Sequence, residues 1–193
     1  MKKFELTDEF VTTTSGKKLF RIKALVAFCD VEKGELGGFV EKEENLSQYG
    51  NAWVSGNAWV SGNATVSDNA TISGDATVSG DATISGNATV SGNAWVSGDA
   101  WVSGDATVSG YATVSGNADY ATVKGFGRYY RNTTFFRCKD KVVRVQCGCF
   151  YGDLPQFRSI VKKTHGEGKL AKEYLAIADL MEFHFSDEED ADK

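Results

Sequence analysis

Between Asn51 and Ala118 the chain repeats one six-residue phrase, Asn/Asp-Ala-Thr/Trp-Val/Ile-Ser-Gly, with few departures. Alanine holds one slot, from Ala52, Ala58 and Ala64 through to Ala118, and two places later stands a branched aliphatic, from Val54, Val60, Val66 and Ile72 to Val114. Side chains alternate across an extended strand, so slots two apart face the same way and the residue between them faces the other. That intervening residue is Trp53, Trp59, Thr65, Thr71 and onward, and the pattern predicts that it points outward. Glycine follows serine at nearly every repeat, with Asp68 and Tyr111 among the departures around it. Its backbone freedom lets the chain turn a corner there. A chain that turns every six residues and buries the same two slots each time stacks into a solenoid.

The rest of the chain bounds that solenoid. At 193 residues the expectation is one elongated domain with caps, or two small domains. No apolar run reaches membrane length, and Met1-Lys2-Lys3-Phe4-Glu5 turns charged at once, so a cytoplasmic protein without a membrane partner is expected. Four cysteines, Cys29, Cys138, Cys147 and Cys149, are too few and too uneven for a secreted disulfide framework. Pro155 is the single proline, which suits a strand ladder that needs its backbone donors. Charge is segregated: from Glu43 to Val123 there is no Lys or Arg, and Glu43, Glu44, Asp68, Asp75, Asp81, Asp99, Asp105 and Asp119 leave a net charge of −8. From Lys124 to Ser186 twelve basic residues face six acidic ones. An acidic spine joined to a basic head orients an approaching partner through its field, while Asn and Asp at corners also serve simply to close turns.

The phrase matches the hexapeptide pattern of left-handed parallel β-helices. By that resemblance three hexapeptides make a triangular coil of about eighteen residues, and stacking at about 4.8 Å per coil gives a run roughly 18 Å long. An open coil end exposes strand edges and apolar core, so a cap is required. Residues 1–50 form an N-terminal β cap, with Lys18–Leu25 as a strand, and 51–123 form the β-helix. Residues 124–186 make a small ββαα module and 187–193 an acidic tail. In the module, Thr133–Cys138 and Val142–Cys147 read as a hairpin. One helix starting at Asp153 presents Phe157, Ile160 and Val161, and a second from about Lys169 aligns Leu170, Tyr174, Ile177 and Met181. The succession Leu19–Leu25, Gly34-Glu35-Leu36-Gly37-Gly38-Phe39-Val40-Glu41, Asn45-Leu46-Ser47 and Gly50-Asn51-Ala52-Trp53-Val54 resembles the YdcK-like β-solenoid family over roughly residues 18–123. That resemblance implies the architecture and a phage- or prophage-linked setting, and it brings no catalytic residues or cofactor.

Many hexapeptide β-helices are acyltransferases that use a histidine base beneath a loop extruded from the coils. Here His165 and His184 both lie outside the repeat and no loop interrupts it, so the coils supply no group suited to that base. Catalytic residues, metal and cofactor are therefore assigned as none. Cys147-Gly148-Cys149 with Cys138 lacks the usual zinc-pair spacing and reads as buried structural cysteine. Thr164–Lys169 lacks the full phosphate-loop pattern and reads as a turn between helices. Gly127-Arg128-Tyr129-Tyr130-Arg131 interleaves aromatics with cations, which describes either a packed strand or a surface that stacks bases and neutralises phosphates.

Trp53, Trp59, Trp95 and Trp101 stand where Thr is the rule. An eighteen-residue coil puts Trp59 and Trp95 on one face, Trp53 on a second with Thr71, Thr89 and Thr107, and Trp101 on the third with Thr65 and Thr83. Exposed Trp marks a binding hot spot, unless a cap or a neighbouring subunit covers it. The protein-binding candidates are these four indoles, the carboxylates Asp75, Asp81, Asp99 and Asp105, and Arg128, Tyr129, Tyr130 and Arg131. Three function classes follow: a non-enzymatic solenoid that binds a macromolecule, with a nucleic-acid-binding host nuclease as the partner its acidic spine would suit; a self-associating structural protein; and an acyltransferase.

Overall fold

The computed structural model describes residues 2–186; the acidic segment 187–193 lies outside the described residues. The chain divides into two compact units, one through Asn117 and one from Ala118.

The first unit is a parallel β-solenoid of about four coils. Strands β1 (Phe4–Thr12), β2 (Lys18–Ala24) and β3 (Leu36–Val40) are followed by two-residue strands from β4 (Trp53–Val54) to β14 (Thr113–Val114), one per hexapeptide. Pairing is parallel and in register every eighteen residues: Trp53 with Thr71, Thr71 with Thr89, and Thr89 with Thr107 on one face. Trp59, Thr77, Trp95 and Thr113 form the second face, and Thr65, Thr83 and Trp101 the third. This is the assignment expected from the repeat. Every alanine and branched aliphatic of the two inner slots, from Ala52 and Val54 to Ala112 and Val114, is buried. The core is thus three ladders of small and branched side chains, each stacked on its own kind, and the favourable term is removal of that apolar surface from water.

Corners need glycine for two reasons that coincide. At Gly80 the backbone has φ +71, and a Cβ there would lie 2.9 Å from the nitrogen of Gly98 in the next coil. Asp68 takes the one departure from this rule at φ +59. Its Oδ2 accepts the Gly86 N–H of the next coil at 2.9 Å, and Asp is among the residues that enter left-handed backbone most readily after glycine.

The cap meets the carbonyls of the first coil one face at a time. Lys3 Nζ donates to Ala52 O at 2.8 Å, Phe39 N to Ala58 O at 2.9 Å, and Asn45 Nδ2 to Ala64 O at 2.8 Å. Strand β3 continues one face by pairing Phe39 with Trp59 and Val40 with Val60 in parallel, and Leu46 bridges to Val66 on another. Three different devices therefore close three edges that would otherwise template further pairing. Strands β1 and β2 pair antiparallel outside β3.

The second unit is a four-stranded antiparallel sheet with two helices. The expected hairpin is β16 (Thr133–Arg137) with β17 (Val143–Cys147), flanked by β15 (Tyr120–Val123) and β18 (Phe150–Asp153). Residues 120–123 close the segment 51–123 expected as β-helix, just after Ala118, where the next alanine comes three residues on instead of six and the register breaks. They instead pair antiparallel with β16, Tyr120 opposite Phe136 and Val123 opposite Thr133. Helix α1 (Leu154–His165) starts with a capping box: Asp153 Oδ1 accepts Gln156 N at 2.8 Å and Gln156 Oε1 accepts Asp153 N at 3.0 Å. Helix α2 (Lys169–His184) packs on it. Arg158 ties the pair together through Asp179 at 2.8 Å and Glu182 at 2.7 Å. Phe135, Val145, Phe157, Val161, Ile177 and Met181 form the core between sheet and helices. No helix among the described residues is long and apolar enough to cross a membrane.

Candidate interaction surfaces

The four tryptophans share a slot but not an environment. Trp53 is buried, only 5 % exposed. The Phe28 ring meets it edge-on at 5.5 Å, and at Gly37 the cap backbone passes so close that a Cβ would lie 2.7 Å from Trp53 Cζ2. Its Nε1 is buried with no acceptor among the described residues. Trp59 is half-buried beside Phe39 of β3. The expectation that both indoles are displayed to solvent is therefore corrected: the cap extends the solenoid's faces over the first coil and covers its outward slot.

Trp95 and Trp101 are displayed, 55 % and 57 % exposed. They stand on adjoining faces either side of the corner Ser97-Gly98-Asp99. Each indole leans back along the solenoid: Trp95 Nε1 donates to Ser79 Oγ at 3.4 Å and Trp101 Nε1 to Ser85 Oγ at 3.3 Å. Held this way, an indole loses little rotamer freedom when a partner covers it.

The acidic corners have internal partners. Asn57 Nδ2 donates to Asp75 at 3.1 Å, Asn63 Nδ2 to Asp81 at 3.0 Å, and Asn87 Nδ2 to Asp105 at 3.0 Å, each pair one coil apart. Asn51, Asn69 and Asn87 run the same ladder with amides alone, at 2.9 and 3.1 Å. The corner Asx residues thus stitch coils together whether or not they carry charge. Asp75, Asp81 and Asp99 are exposed and Asp105 is half-buried. Asp99 stands one coil above Asp81 on the same corner, where Asp81 N donates to Gly98 O at 2.8 Å.

In the second unit, Arg128, Tyr129, Tyr130 and Arg131 are all exposed in a loop rather than packed in a strand. Gly125, Gly127 and Tyr130 have positive φ, with Tyr130 at +52. The Tyr129 ring centroid lies 5.5 Å from the Arg128 guanidinium and 5.0 Å from that of Arg131. Cys138 is buried, and that burial raises its thiol pKa. Cys147 is half-buried and Cys149 exposed, so the reading of Cys149 as a buried structural cysteine is corrected. It follows Gly148, whose positive φ turns the chain out of β17. Among the described residues no three His, Cys, Asp or Glu side chains converge as a metal-ligand set.

These features define a parallel β-solenoid repeat protein with an added α+β unit. The family model described as YdcK Beta solenoid repeat matches residues 58–73, 82–98 and 100–116, so the coils are similar to that repeat. No curated protein matches the chain.

Proposed function

We propose that this β-solenoid is a non-enzymatic binding scaffold that docks on a basic protein surface. What supports the reading is one corner: two exposed, serine-tethered indoles, Trp95 and Trp101, flank the stacked carboxylates Asp81 and Asp99. Indole faces attract cationic side chains, carboxylates pair with them, and the surrounding spine has no Lys or Arg to compensate its charge. A groove that binds nucleic acid has the complementary character. Such a solenoid would occlude the nucleic-acid channel of a nuclease, with indoles supplying the anchor and carboxylates the steering. The resemblance to phage-borne solenoids gives this a setting, inhibition of a host defence nuclease in the manner of an anti-CRISPR protein.

The test is binding to a panel of purified CRISPR effector nucleases, followed by cleavage assays. The reading expects salt-sensitive binding that competes with nucleic acid. Replacing Trp95 and Trp101 with Ala should lower affinity by about a hundredfold. Changing Asp75, Asp81, Asp99 and Asp105 to Asn together should slow association and flatten the salt dependence. Because the Asn51–Asn69–Asn87 ladder is already built from amides, those Asn changes remove charge while keeping the corner bonds. Binding that ignores both salt and these changes would sink the proposal.

A further inference from the structure

The chain contains six arginines, and four of them are in ion pairs. Arg21 meets Glu9 at 2.8 Å, Arg137 meets Asp119 at 3.5 Å, Arg144 meets Asp140 at 2.8 Å, and Arg158 meets two carboxylates. Arg128 and Arg131 have no carboxylate partner among the described residues. These two line a cavity of about 370 Å³ within the second unit.

The cavity is amphipathic. Its wall is apolar, from Phe157, Ile160 and Val161 of α1 and Tyr174 of α2, while Thr164 and His165 supply polar groups near the end of α1. Ile160, which the helical spacing presents together with Phe157 and Val161, is 38 % exposed and lines this space. His165 stacks on Tyr174 with ring centroids 5.9 Å apart and planes at 20°. The cations are placed rather than loose. Both guanidiniums share the Tyr129 ring, and Arg131 passes over Gly148, where a Cβ would lie 2.9 Å from its Nη1. Gly148, at φ +59, leaves room for that guanidinium.

We propose that this cavity binds a nucleotide: a phosphate monoester held between Arg128 and Arg131, with its planar base against the apolar wall at Ile160. Two guanidinium forks match the several oxygens of a phosphate dianion better than a single carboxylate. The volume falls within the range of small-ligand sites, and an aromatic and aliphatic wall suits the face of a base. Thr164 and His165 offer hydrogen bonds to sugar or base edges. The same chemistry arises from a free mononucleotide or from the 5′-phosphorylated end of a single strand. This site is separate from the solenoid corner, so it stands or falls independently of the docking reading.

Calorimetric titration of the full chain tests it, using the four nucleoside 5′-monophosphates, the matching nucleosides, inorganic phosphate, and single-stranded oligonucleotides with and without a 5′-phosphate. At least one monophosphate should bind with Kd below about 1 mM, with its nucleoside and inorganic phosphate each weaker by about tenfold or more. Arg128→Gln with Arg131→Gln should lower that affinity by at least about tenfold, since both charge-assisted contacts go, and leave the unfolding transition in place because both residues are exposed. Ile160→Trp, which fills the wall, should also block binding. If the phosphorylated oligonucleotide displaces the mononucleotide, the strand end is a source of the ligand; if it does not, the free nucleotide is. No binding of any phosphate-bearing probe, a nucleoside as tight as its monophosphate, or affinity unchanged in both variants would overturn the proposal.

Discussion

Trp53 and Trp95 occupy the same slot of the same phrase, yet one is buried and the other stands in solvent. The hexapeptide decides only which way a side chain points. Whether the outward slot is covered depends on a segment outside the repeat, here Phe28 and the backbone at Gly37. A solenoid therefore has two kinds of surface built from one sequence pattern: a capped end, where outward residues join the core, and a free stretch, where they remain available to a partner. An indole in the first kind serves stability and in the second recognition.

The interior sets the scale against which that contrast is measured. Val78→Asp places an unpaired carboxylate in the ladder between Val60 and Val96 and should cost more than about 4 kcal/mol, read as loss of the cooperative melt. Trp53→Ala should follow at about 3–5 kcal/mol, because the cap would close over a cavity, while Trp95→Ala should stay within about 0.5 kcal/mol. Equal losses at the two sites would break the comparison. Trp53→Phe sharpens it: the change discards an indole N–H that is buried with no acceptor among the described residues, so it should cost well under half as much as the alanine change. Corner glycines allow a similar pairing. Gly80→Ala meets both a positive φ and the Gly98 backbone, whereas Gly104 at φ +68 has nothing within 4 Å of its Cβ position. Gly104→Ala should cost about 1–2 kcal/mol from the left-handed backbone alone, and Gly80→Ala about 1–3 kcal/mol more from crowding. Urea titrations would rank all of these.

Periodic features were legible in the sequence because each repeat restates them: the inner slots, the corners, and the registry of Trp59 with Thr77 and Trp95 every eighteen residues. What depended on one distant contact was not. Nothing near Trp53 in the sequence announces Phe28 as its cover. The break in register after Ala118 shows where regular coiling ends, but the pairing of Tyr120 with Phe136 could be known only once β16 was in place. At the second candidate site the aromatic-cation composition of 128–131 was visible, but the apolar wall comes from Phe157, Ile160 and Tyr174, some 25 to 45 residues later. That Arg128 and Arg131 have no carboxylate partner among the described residues, unlike the other arginines, is a property of the folded arrangement. Spacing carries no trace of it.

The smallest expected effect concerns how the capped end is closed. Lys3 is buried with its Nζ donating to Ala52 O and sitting 5.2 Å from the Phe28 ring that covers Trp53. Burial lowers its pKa from 10.5 to about 8, so between those values the unfolded chain binds more protons there than the folded one. Stability must then rise with pH across that window, since loss of the proton removes a buried charge. The neutral amine can still donate to Ala52 O, so the edge stays closed. Cys138 and Tyr174 pull the other way: burial raises both pKa values, and stability is lost as pH rises above the ordinary thiol and phenol range. Both belong to the second unit, so the contribution of Lys3 is isolated by difference. The stability of the parent relative to Lys3→Met should increase from pH 7 to pH 9.5 in chemical denaturation. A difference that stays flat would mean that the ammonium is solvated, and that the cap over Trp53 is looser than its packing with Phe28 and Gly37 implies.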